Sequence, residues 1–137
     1  MDPDRSLLGD GPYPITGPMA ILARTAFLAA LAMIVVAVFL PREFVPQFVR
    51  SHYLQHFAAF YVAGLLGLAA SPRARITTVA LRLVIFTTAL EASHLLAGAR
   101  VAPLIDNWVA DIGGLAAAFA PLGVARFRRR FETPPDR

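Results

Sequence analysis

The chain has 137 residues, 57% of them hydrophobic and only 16% charged, with a mean hydropathy of +0.59, which excludes an ordinary soluble domain and points to an integral membrane protein. Each span needs roughly 20 apolar residues, so the length accommodates one bundle of about four helices and no second domain. The net charge of +4 rests on thirteen basic residues, all Arg, and the lack of Cys excludes disulfides, thioether-linked haem and thiolate metal sites; no soluble domain is left to shape a nucleic-acid groove.

Residues Met1 to Pro18 hold four Pro, three Asp and three Gly, a composition that cannot bury enough apolar area to order itself and predicts a flexible tail. The first apolar segment runs from Met19 or Ala20 to Leu40, with Arg24 near its start in reach of the interface. It is longer than the apolar region of a signal peptide and no clear cleavage site follows, so a retained helix is expected. Pro41 ends it. The link from Pro41 to Ser51 places Phe44, Val45, Phe48 and Val49 among Arg42, Glu43 and Arg50, which suits either a short interfacial helix or an irregular loop.

A second helix is predicted from His52 to Ala70, closed by Ser71-Pro72 and a short basic turn at Arg73 and Arg75. The third covers Ile76 to Ala97, where Gly98 is placed as a C-cap and Pro103 blocks continuation. The fourth covers Leu104 to Val124 and gives way to Arg126, Arg128, Arg129 and Arg130, a cluster suited to anionic headgroups. The expected organisation is thus an all-α, membrane-embedded four-helix bundle over residues 19–125, with short loops and flexible termini. Arg is concentrated on the side of the two termini and the Arg73–Arg75 turn, so both termini are expected in the cytoplasm.

The residues that membrane helices seldom carry fall at one end of this bundle. His52 and His56 open the second helix, Glu91 and His94 close the third, and Asp106, Asn107 and Asp111 open the fourth, with Arg100 in the turn between. Ionisable groups at membrane depth are costly unless paired or hydrated, which makes the cluster a functional-site hypothesis. Residues three and four apart share a helix face. His52, His56, Ala59 and Ala63 form one such stripe, Thr87, Glu91 and His94 a second, and Asn107, Asp111, Gly114 and Ala118 a third. Small residues let helix backbones approach, so the stripes are expected to face one another and enclose a polar pocket that opens outward, with the first helix covering them from the lipid side. His56, Glu91, Arg100, Asp106 and Asp111 are the pocket candidates, with His52, His94 and Asn107 as secondary ones. Arg100 is expected to neutralise a carboxylate, and Trp108 to anchor at the interface.

At these residues the chain resembles the VanZ-like family of small bacterial membrane proteins. His56-Phe57, Glu91, Arg100 at the expected distance, Asp106 and Gly114 carry the likeness, which spans roughly Ser51 to Gly123. His52-Tyr53 stand where the pattern has Asp-Lys, His94 replaces Gln, Asn107 replaces a second Asp and Asp111 replaces Asn. The namesake is associated with resistance to the glycopeptide teicoplanin, so the resemblance implies a cell-envelope role in the bacterial inner membrane.

Three functions compete on these residues. In the first, the pocket binds an amphiphilic envelope component or antibiotic, Arg100 engaging an anionic group and the carboxylates accepting from hydroxyl or amine donors. In the second, the protein is an enzyme with Glu91 or Asp111 as base and His56 as acid, or with a divalent metal held by His52, His56, His94 and a carboxylate; two His at i and i+4 are a low-specificity signal for this. In the third, the chain is a non-catalytic accessory subunit of a larger membrane complex and the polar cluster is a structural network. Membrane lipids are the implied partners, with a homo-oligomer or larger complex open and no nucleic acid; no cofactor is implied.

Overall fold

The computed structural model describes residues 17–46 and 50–131. Four helices alternate in direction: α1 (Pro18–Phe39), α2 (His52–Ala70), α3 (Ile76–Leu96) and α4 (Val101–Arg129). No strand occurs among the described residues. Each helix is long and apolar enough to cross a membrane, the arrangement of a multi-pass membrane protein. The four-helix, all-α expectation therefore holds, and three of the helix boundaries fall within two residues of those read from the sequence at both ends.

The ends follow local chemistry. Pro18 sits in the first turn of α1, where its missing N–H costs nothing. Ser51 caps α2 by accepting from the Leu54 N–H at 3.4 Å. Between them, Arg42–Phe44 form a single 3-10 turn; Phe48 and Val49, on which the expected interfacial helix also rests, lie outside the described residues. At the end of α3, Gly98 takes φ +88°. Its N–H bonds to Leu95 O at 3.0 Å and the Ala99 N–H to His94 O at 3.0 Å, the paired closure in which glycine best tolerates the left-handed backbone.

The fourth helix departs from expectation at both ends. It begins at Val101 rather than Leu104, because Pro103 falls within the first turn, where the backbone N–H groups have no intrahelical acceptor. It continues through Pro121 and the basic cluster to Arg129 rather than stopping at Val124. The tails 1–16 and 132–137 lie outside the described residues.

Packing is densest where α2 crosses α4. Ala63, Gly64, Gly114, Leu115 and Ala118 are buried at this crossing. A Cβ on Gly114 would run into the backbone carbonyl oxygen of Phe57 and sit 2.9 Å from the Tyr61 nitrogen. The two backbones therefore touch, which small residues permit. On the other flank Phe60, Val79, Leu83, Leu90 and Leu115 form the apolar core, closed by Phe27, Leu31 and Val35 of α1. Helix α1 fully buries only Ala20, so most of its surface is left for lipid, in keeping with its expected covering role. Arg24 donates a long hydrogen bond, 3.5 Å, to the Ala70 carbonyl at the end of α2, where cations complement the helix terminus.

Candidate functional site

The close α2–α4 contact brings His56 against Asp111. His56 Nδ1 lies 2.9 Å from Asp111 Oδ1, within hydrogen-bond distance; an ionised carboxylate only accepts, so with Asp111 charged Nδ1 is the donor. The second oxygen of Asp111 accepts from Thr87 Oγ1 of α3 at 2.6 Å. Asp111 is 1% exposed and Thr87 fully buried. One carboxylate thus ties three helices together, about 15 Å along α4 from its first residue.

Glu91, one turn beyond Thr87 on α3, is also buried, at 6% exposure. Its Oε2 has no hydrogen-bond partner. The nearest candidate is His94 Nδ1 at 3.5 Å, which is itself unpartnered. The other nitrogen of His94, Nε2, faces the Val38 carbonyl of α1 at 3.3 Å, a group left without an intrahelical donor by the end of α1 one residue on, at Phe39. A carbonyl accepts, so this contact commits the ring proton to Nε2 and turns the Nδ1 lone pair toward Glu91. With the ring neutral and Glu91 ionised, two acceptors face each other in a buried place, whereas a proton on either group turns the contact into an ion pair or a hydrogen bond. A buried acceptor left in this way costs on the order of 1–3 kcal/mol.

No family model, no curated protein and no solved structure matches this chain. The site is therefore read from its own geometry. Of the pocket candidates, His56, Glu91 and Asp111 converge: one donor atom of each lies within 4.8 Å of the others. Arg100 and Asp106 do not join them. Both are exposed, and among the described residues Arg100 forms no ion pair with Glu91, Asp106 or Asp111. The expected neutralisation by Arg100 is thus not made, because Arg100 is the N-cap residue of α4, outside the helix end rather than over the buried carboxylates. Asp106 is five residues from Asp111, a rotation of about 140° around an α-helix, and so leaves the face that Asp111 occupies. We expect Asp106→Asn to shift unfolding stability by less than about 0.5 kcal/mol in detergent, whereas a larger loss would mean that Asp106 has a partner the geometry misses.

Among the secondary candidates, His52 is exposed and its ring meets that of His56 edge-on at 4.6 Å. His94 borders the cluster through Glu91, and Asn107 is half-buried with its Oδ1 enclosed and unpartnered. Two contributors were not singled out as site residues by sequence reasoning. Thr87 lies on the α3 stripe four residues before Glu91, a signal that was present. The Val38 carbonyl, a backbone group on an all-apolar helix, has no sequence signal.

Beside this cluster, and sharing Glu91 with it, a groove of about 260 Å³ runs between α3 and α4. Leu95, Leu104, Ile105 and Trp108 are among its lining residues, and Glu91 and Thr88 are its polar ones. Trp108 is held across the groove by its indole N–H, which donates to Thr88 Oγ1 at 3.0 Å, a tie between helices beyond the interfacial anchoring expected of it.

Proposed function

We propose that this is a VanZ-like protein of a bacterial cytoplasmic membrane, with both termini in the cytoplasm, that binds an amphiphilic envelope component. The apolar part of the ligand lies in the groove between α3 and α4. Its polar head, an amine or hydroxyl, reaches Glu91. The observation that carries this reading is the groove itself, lined almost wholly by apolar side chains and bordered by Glu91, whose enclosed Oε2 lacks a hydrogen-bond donor.

The groove is smaller than the roughly 300–1,000 Å³ of sites for drug-sized ligands. An alkyl or acyl segment suits it better than a folded antibiotic. Arg100, exposed at the head of α4, remains available to an anionic group on the same ligand.

Trp108, the single Trp of the chain and a wall of the groove, is a built-in reporter. A brominated long-chain amine is expected to quench its fluorescence saturably, and at lower concentration than a brominated alkane of equal length. Glu91→Gln should remove that difference. Equal, non-saturating quenching by both compounds would overturn the proposal.

A further inference from the structure

We infer that His56, Glu91 and Asp111 form a binding site for a divalent transition-metal ion, with His94 beside it. The donors come from three helices, so the site exists only in the folded bundle. One ligand atom from each lies within 4.8 Å of the others. Tetrahedral sites with bonds near 2.1 Å have donors about 3.4 Å apart, so side-chain movements of no more than about 1.4 Å close the set. The mixture of imidazole and carboxylate suits zinc, manganese, iron or cobalt rather than calcium or magnesium.

The second, independent observation is the unmatched pair beside the cluster. Glu91 Oε2 and His94 Nδ1 are both enclosed, both without a hydrogen bond, and 3.5 Å apart. That separation is close to the spacing of two donors on one tetrahedral ion. With the His94 Nε2 proton committed to Val38, something positive is required between these atoms or on the ring. A buried polar atom left without a partner is a recognised mark of an ion or water. A divalent cation also carries the charge that balances Glu91 and Asp111 together, where buried charge is costly unless paired. Thr87 would then act as a positioning residue, holding Asp111 through its 2.6 Å hydrogen bond.

The inference stands on donor geometry and does not depend on an occupant of the groove. If both are right, an amine or hydroxyl head completes the coordination of the ion through its lone pair.

The test is a titration of chelator-stripped, detergent-purified protein with Co²⁺, read by its visible absorption and by metal content after gel filtration, with Zn²⁺ as competitor. About one ion per chain is expected, displaced by Zn²⁺. Glu91→Gln and His56→Gln should each weaken binding by at least about tenfold, while Glu43→Gln, an exposed carboxylate in the α1–α2 link, should not. If His56→Gln does not fold, the rise in unfolding midpoint that Zn²⁺ gives the wild type, and its loss in Glu91→Gln, decides the matter. Wild-type protein that takes up neither ion, or uptake unchanged in Glu91→Gln, would overturn the inference and leave a proton as the charge between Glu91 and His94.

Discussion

Asp111→Ala is expected to destabilise the protein by about 3 kcal/mol, the scale seen when one partner of a buried polar pair is removed, while Glu91→Gln in metal-free buffer leaves the unfolding midpoint unchanged or raises it. The two residues look alike in the sequence, each a carboxylate in an apolar helix. Their surroundings differ. Asp111 uses both oxygens, one on His56 and one on Thr87, so its loss leaves the buried Thr87 hydroxyl and the half-buried His56 without their acceptor. The Glu91 Oε2 has no donor, and its amide counterpart would offer an N–H to the open Nδ1 of His94. Thermal unfolding in a mild detergent separates the cases. Equal large losses in both variants would mean that Glu91 belongs to a satisfied structural network and that the groove ends on no available group.

Gly114→Ala should be as damaging as Asp111→Ala, at about 3 kcal/mol, the upper end of what an extra methyl group costs in a filled interior. The obstacle is the backbone of α2 itself, at Phe57 and Tyr61. A helix backbone cannot yield as a side chain can, so α2 and α4 must separate. Gly114 lies three residues from Asp111 on the same face, and the separation therefore also loosens the 2.9 Å bond to His56. Gly113→Ala is the matched control, since its new methyl group would meet only the Phe57 ring, at 3.4 Å. It should be close to neutral, because alanine is the better helix former. Circular dichroism melts of the two variants, with Co²⁺ uptake as a second readout, distinguish a specific close contact from a general intolerance of substitution in α4.

Much of this architecture was legible in the sequence because its signals were local. Pro41, Ser71-Pro72 and Gly98 punctuate four apolar runs, and helical spacing put His56, Thr87 and Glu91, and Asp111 with Gly114, on single faces that do meet. Periodicity also set Asp111 on a stripe that Asp106 does not share, yet Asp106 was kept as a candidate because it lies in the same polar cluster, and it proved exposed. The third helix does stop before Pro103, but the start of the fourth was placed after that proline because a proline in the first helical turn and one just outside it present the same local sequence. Beyond the sequence lay everything that depends on how far one helix slides along another. Whether Arg100 reaches a carboxylate, whether α1 delivers a carbonyl to His94, and which oxygen of Glu91 is left without a donor are matters of fractions of a helical turn.

The central claim is that the polar stripes of α2 and α4 meet through His56 and Asp111. A double-mutant cycle on unfolding free energy, with His56→Ala, Asp111→Ala and the double variant in detergent, tests it most directly. The account predicts a coupling of about 1 kcal/mol, within the range measured for interhelical hydrogen bonds in membranes. Strictly additive losses would contradict it, placing the two side chains apart and dissolving the site that the other experiments probe.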